Sequence, residues 1–288
     1  PASSAAVPAG GRGWAWVVGA IVSIHLIVAL TLIVNHVSHP EIVAGSDAWH
    51  MSYFHQFAQG GHSYYPRGDV AHMTDGYTPL ASQIFGWTIR LFGPDVRWVR
   101  LAASLFGLAG MALVGGCVFR LTGNRLIGFV AAALAAGLET KWFVDVGPNT
   151  VHATFSVLAL YLFLRDPQLS WRTVALAGLA LFASFWSKQL GLAYMVAGTV
   201  YVLVHDWRKG LALAAGLAAL TLAGIVYFES RPDAQFLYWV FEMNQNQPII
   251  WSRLWTVVFS EILTRKYAVS VAFIAAGLLA YERSWKGL

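Results

Sequence analysis

Hydrophobic runs long enough for a bilayer alternate with short polar joints along this chain, and the alternation is interrupted once. Residues 14–34 and 98–119 are predominantly apolar. Each meets the roughly 17–25 residues that a transmembrane helix needs. Shorter apolar runs follow at 126–138, 151–164, 174–186, 190–204 and 211–228. Trp14, Trp98, Trp142, Trp171, Trp186 and Trp207 stand at the run ends, where an amphipathic ring prefers the headgroup level. Residues 171–205 as one helix would be about 50 Å long, too long for one crossing. Lys188 therefore marks a break and a tight helical hairpin. These runs predict seven spans, with a shorter eighth candidate at 267–281. The interruption is the polar, aromatic-rich stretch 35–97 between the first two spans.

Composition agrees. The chain is 57% hydrophobic and 11% charged, with mean hydropathy +0.57, against about a quarter charged residues in soluble domains. Its single Cys117 excludes a disulfide framework. There is no long basic run or nucleic-acid motif, and no internal repeat of the kind that builds many transporters. Residues 1–13 read as a polar tail. The first apolar run exceeds a signal-peptide core and lacks an A-x-A-like site after it, which predicts an uncleaved span.

Basic residues in short loops orient the spans. With the N-terminus inside, the inner loops hold Arg120, Arg125, Arg165, Arg172, Arg208 and Lys209, and the short outer turns hold only Lys141 and Lys188. The first outer loop is then 35–97 and a second is 229–265. Within them, residues 80–92 read as a short amphipathic helix, with Leu80, Ile84, Trp87 and Leu91 on one face, which suits a helix lying in the headgroup plane; residues 236–241 form a second such piece.

The first outer loop contains Gly45-Ser46-Asp47-Ala48-Trp49-His50, then Gly60-Gly61, Tyr64-Tyr65-Pro66, Gly76-Tyr77-Thr78-Pro79-Leu80 and Leu91-Phe92-Gly93-Pro94, before Arg97 and Arg100 open the second span. This order resembles the polyprenyl-phosphate-dependent glycosyltransferases of the GT-C type, the protein mannosyltransferase and aminoarabinose transferase-like group (glycosyltransferase family 39-like). Those proteins have an acidic residue after the first span, a Gly then Tyr/Pro region, a Tyr-Pro-Pro-Leu-like box, and Phe-Gly before an Arg-containing second span. Lys188-Gln189-Leu190-Gly191 is similar to their later outer hairpin. The resemblance covers most of residues 14–204.

The resemblance implies an all-α, polytopic membrane protein: one GT-C-like module over residues 1–288 with about 7–8 transmembrane helices and interfacial helices in its long first outer loop. It implies transfer of a sugar from a polyprenyl-phosphate-linked donor to a lipid, glycan or protein acceptor. The site would face outward from a bacterial cytoplasmic (inner) membrane, among membrane lipids and without nucleic acid. No cofactor is expected. Such chemistry needs a base for the acceptor hydroxyl or amine and cations for the leaving phosphate. Asp47 would be the base; Lys188, Arg97 and Arg100 are the phosphate candidates.

Asn149 is a candidate sugar or acceptor ligand, with helix N-capping the better-supported alternative. Asp145 reads either as a second carboxylate or as the partner of Lys141. Tyr53, Tyr64, Tyr65 and Tyr77 could stack on a sugar, although interfacial tyrosines are common. Asp47 reads equally as a solvated loop aspartate, and Arg97 and Arg100 as snorkelling residues at a span end. Lys188 runs against the positive-inside bias, which an anionic headgroup would explain. Arg67 and Arg90 need no ligand. His152 should face the bundle interior. His50, His55, His62 and His72 lack metal-site spacing.

Two departures stand out. Ala48 follows Asp47 where relatives carry a second carboxylate, and Thr78 replaces the first proline of the box. About eight spans are also fewer than relatives have, which raises the expectation that a downstream region is absent. The alternative is a non-catalytic transporter or lipid-binding membrane protein.

Overall fold

The computed structural model describes residues 11–38, 45–66, 75–138, 146–243, 252 and 255–256. The chain divides into two compact units, Pro1–Asn244 and Gln245–Leu288. The described part of the first unit is helical, with no strand. Its helices are α1 (Gly11–Ser38), α2 (Gly45–Ala58), α3 (Leu80–Phe92), α4 (Val96–Thr122), α5 (Arg125–Leu138), α6 (Pro148–Arg165), α7 (Trp171–Ser187), α8 (Gly191–His205) and α9 (Trp207–Glu229). A π-helical turn, Tyr238–Glu242, follows. The three described residues of the second unit fall at 252 and 255–256, and the eighth candidate span at 267–281 lies outside the described residues.

Each of the seven apolar runs is a helix. α4 and α9 are individually long and apolar enough to cross a bilayer. The joints have local causes. Asp95 caps α4 by accepting the Arg97 N–H at 2.9 Å. Ser170 caps α7, and Asp206 caps α9 through the Arg208 and Lys209 N–H groups. Pro148 occupies the first turn of α6, where its missing N–H costs nothing.

α6 packs between α4 and α7, α5 lies against α4 and α1, and α8 sits between α7 and α9. Gly115 of α4 and Gly128 of α5 make close approach possible: a Cβ on Gly115 would stand 2.7 Å from the Gly128 carbonyl oxygen. Above one end of this bundle, α2 packs on α3 through Phe54 and Phe85, whose ring centroids are 4.9 Å apart.

α3 has the predicted bounds. Its buried face is Ala81, Phe85 and Ile89, while Trp87 and Leu91 are exposed. The apolar stripe read from sequence is therefore split: Trp87 and Leu91 point away from the protein, as a headgroup-plane helix requires, while Leu80 and Ile84 are half-buried against the core. α2 is an addition to the sequence reading. Its aromatic and polar residues lack a clear 3.6-residue stripe, and packing on α3 supplies what propensity does not.

The hairpin at Lys188 is confirmed. α7 ends at Ser187, Lys188 is extended (φ −158°, ψ 138°), and α8 begins at Gly191. The turn closes through the Gly191 N–H to the Lys188 carbonyl at 2.9 Å. A Cβ on Gly191 would lie 2.3 Å from the Phe185 nitrogen, a backbone atom that cannot yield cheaply. Gly191→Ala should therefore destabilise the protein by roughly 1–3 kcal/mol through overpacking. Thermal unfolding of the detergent-solubilised protein checks this; an unchanged midpoint would show that the hairpin relaxes without cost.

Alternating helix direction sorts the chain ends. The α1 C-terminus, the N-termini of α4, α6 and α8, and the C-termini of α7 and α9 meet α2 and α3 at one end. Arg120, Arg125, Arg165, Arg172, Arg208 and Lys209 lie at the other. There Lys209 sits 6.0 Å from the Trp171 ring centroid and pairs with Asp206 at 3.1 Å.

Candidate active site

The segment 75–78 leads into α3 and is bonded to α7, to the hairpin turn after it and to Tyr64. Thr78 donates its hydroxyl to the Phe185 carbonyl on α7 at 2.7 Å. Gln189, in the hairpin turn, donates to the Gly76 carbonyl at 2.5 Å and to the Val240 carbonyl at 2.9 Å. Tyr64 donates its phenol to the Tyr77 carbonyl at 2.8 Å. The Tyr77 side chain is thereby held half-buried.

Lys188 lies over the Tyr77 ring, its Nζ 5.4 Å from the centroid. The same ammonium donates to Asn149 Oδ1 at 2.6 Å. The His50 ring of α2 also stacks with the Tyr77 ring, at a centroid distance of 6.4 Å and 17° between planes. Asp47 is in the same helix, one turn before His50 and about 4.5 Å from it along the axis; its side chain lies outside what is described. Lys188, Asn149 and Tyr77, drawn from three separate places in the sequence, thus converge.

Asn149 is not a cap. Gly147 holds the N-cap position of α6, and the Asn149 side chain turns to Lys188 instead. Tyr65 sits apart from Lys188: its ring stacks on His62 at 4.8 Å, and its carbonyl accepts from Trp239 Nε1 at 2.6 Å. Tyr53 and Tyr64 are buried, at 5% and 0% exposure, so neither can stack on a sugar. Burial, then the nearby Asp75 carboxylate, pushes both phenols above their ordinary pKa and keeps them neutral.

The arginines go elsewhere. Arg97 is exposed and gives Nε and Nη2 to Asp95 at 2.8 and 2.5 Å, which holds that carboxyl below its ordinary range. Arg100 is fully buried and donates Nη1 to the His36 carbonyl at 3.3 Å, tying α4 to the end of α1. Asp145, Lys141, Arg67 and His72 lie outside the described residues. The other loop histidines are dispersed: His55 bonds Gln59, and His62 bonds the Pro232 carbonyl.

Sequence reading missed Asp75. It sits in an Asp-Gly pair that reads as an ordinary turn, yet it is 1% exposed. Its Oδ1 accepts the Tyr77 N–H at 3.0 Å and its Oδ2 accepts the Ser82 hydroxyl at 2.8 Å. Burial raises its pKa to about 7, against the lowering effect of those two bonds. Between the ordinary carboxylate value and about 7, the folded state therefore holds a proton that the unfolded chain releases. Stability should fall by a few kcal/mol as pH rises through that window, each pKa unit being worth about 1.4 kcal/mol. Asp75→Asn should flatten the wild-type slope in thermal unfolding between pH 4 and 7, and subtraction removes the histidines common to both proteins. Parallel curves for the two proteins would show that Asp75 does not titrate there.

Just inside this rim, His152 is buried and shares a 2.8 Å hydrogen bond with Ser184 Oγ, which is 2.7 Å from Ser156 Oγ. It faces the bundle interior as expected. An apolar groove of about 380 Å³ begins at His152 and runs between α6 and α8, past Leu160 and Phe163, to Tyr201.

A bundle of apolar helices under a surface layer that fixes a cation beside an amide and an aromatic ring defines a helical membrane protein with a polar site at its rim. By family match over residues 77–230, the chain belongs to the dolichyl-phosphate-mannose-protein mannosyltransferase family, membrane glycosyltransferases of the GT-C type. The matched span runs from Tyr77 to the end of α9 and includes Asn149 and Lys188; Asp47 and Asp75 precede it. No curated protein and no solved structure matches the chain.

Proposed function

We propose that this protein transfers a sugar from a polyprenyl-phosphate carrier to a lipid, glycan or protein acceptor at the outer face of the membrane. Asp47 takes the proton from the acceptor hydroxyl or amine. The freed oxygen or nitrogen bonds the anomeric carbon as the bond from that carbon to the phosphate oxygen breaks. Polyprenyl phosphate leaves with the electron pair. Lys188 neutralises the charge that develops on its oxygens.

The observation that carries this reading is the place of Lys188 above the groove. Asn149 precedes His152 by three residues, about 4.5 Å along α6, so the groove opens within a turn of the Lys188–Asn149 pair. A phosphate at Lys188 would leave its isoprenoid tail lying along an apolar trough between helices, a common place for such ligands. Tyr77 and His50 bridge from Lys188 to the α2 turn that carries Asp47. Arg97 and Arg100 are assigned to capping and to the α1–α4 contact rather than to the donor. The six basic residues at the opposite end support an outward-facing site, and all seven apolar helices are read as spans.

The test is proteoliposomes holding the full chain and a polyprenyl-phosphate donor carrying radiolabelled sugar. Label should leave the carrier for an acceptor. Movement of labelled lipid across the bilayer, with the sugar never leaving its carrier, would replace this reading with the transporter.

A further inference from the structure

A second polar cleft, of about 200 Å³, lies on the far side of α3, between the α2 C-terminus and the end of α9. Two guanidiniums line it, Arg90 from α3 and Arg231 from the segment after α9. They are 141 residues apart in sequence and face the same space. Each is stacked on an exposed aromatic ring: Arg90 is 5.4 Å from the Trp87 centroid, and Arg231 is 5.3 Å from that of Tyr227.

Among the described residues neither pairs with a carboxylate. Glu229 is the nearest acid on α9, and it accepts the Leu237 N–H instead. Asp233, two residues beyond Arg231, forms no ion pair with either. Arg231 gives Nη1 to the Gly61 carbonyl and Nη2 to the Tyr227 phenol, at 3.1 and 3.2 Å. These contacts fix the plane of its fork and leave further N–H groups for a ligand. Gln83 adds an amide to the wall.

Two guanidiniums across a small cleft suit one oxyanion, because each fork matches phosphate geometry. Trp87, Leu91 and Phe92 are exposed on the adjoining face of α3, at 59%, 68% and 58%. That face would carry an acyl chain past the cleft. From this juxtaposition we infer that Arg90 and Arg231 form a site for the phosphate headgroup of an anionic bilayer lipid, separate from Lys188. The site goes beyond the transfer reaction and does not depend on it.

Fluorescent phosphatidylglycerol and phosphatidylcholine titrated onto the purified full chain in detergent test the assignment. The anionic lipid should bind about tenfold more tightly, as charge-assisted contacts predict. Arg90→Gln combined with Arg231→Gln should erase that preference with the melting temperature kept, and Arg231→Lys should leave part of it. If the double variant melts early, Arg90→Glu serves alone, since Arg90 is exposed and the Trp87 ring it stacks on is exposed as well; it should still weaken phosphatidylglycerol binding several-fold. Equal binding by wild type and Arg90→Glu overturns the site. Displacement of the labelled lipid by inorganic phosphate at millimolar concentration overturns the lipid assignment in favour of a free anion.

Discussion

Lys188→Ala is expected to lower sugar transfer by about 10²–10³-fold, the usual loss when one preorganised group facing developing charge is removed, while the protein stays folded. Lys188 is half-buried in the hairpin turn, and its backbone, which closes that turn, is unaffected by truncation. What is lost is the ammonium between Asn149 Oδ1 and the Tyr77 ring. Asn149 would then point an amide at the donor phosphate with no charge behind it. Lys188→Arg should not restore full rate, because a planar fork cannot meet the Asn149 oxygen, the ring face and a phosphate from the same place. Kinetics in proteoliposomes decide it. A loss below fivefold with the alanine variant would take Lys188 out of the proposed phosphate site.

Asp47→Asn is expected to reduce turnover by about 10²–10⁴-fold, the range for loss of a general base. The neighbouring Ala48 offers no second carboxylate beside Asp47 in the sequence. Asp75 cannot substitute, since it is enclosed by Tyr77 and Ser82 and has no surface to present to an acceptor. The variant should keep donor binding, since Lys188 and the groove are untouched, and so the defect should fall on kcat rather than on KM for the donor. Unchanged turnover would remove Asp47 from the mechanism and leave Lys188 binding a lipid phosphate without base catalysis.

The two variants separate binding from chemistry. If Lys188→Ala loses donor affinity and Asp47→Asn loses only the rate, the rim carries both halves of a transferase. If the unmutated protein binds and releases the carrier normally and transfers no sugar, the family's activity is not expressed by this chain under those conditions.

Much of the scaffold follows from the sequence alone, for a physical reason. Helices that cross lipid must satisfy their backbone internally, so long apolar runs become helices whatever their neighbours do. The seven runs were readable as helices on that ground, the break at Lys188 from the length limit on a single crossing, and α3 from its amphipathic spacing. Lys188 was readable as a cation that runs against the positive-inside bias, and Asn149 and Tyr77 as candidates beside the ordinary roles of helix cap and interfacial tyrosine. Their contact was not. Only packing of α6 against α7, with segment 75–78 beside them, decides that Lys188 reaches Asn149 and lies on Tyr77. The same holds for Asp75, whose turn-like sequence conceals a buried carboxylate, and for Tyr53 and Tyr64, whose rings fill the core rather than a sugar site. Arg97 and Arg100 stand three residues apart on one helix, yet one meets Asp95 in the open and the other closes against α1. Burial is a property of what surrounds a residue, and for polar groups at a membrane rim those surroundings come from distant parts of the chain.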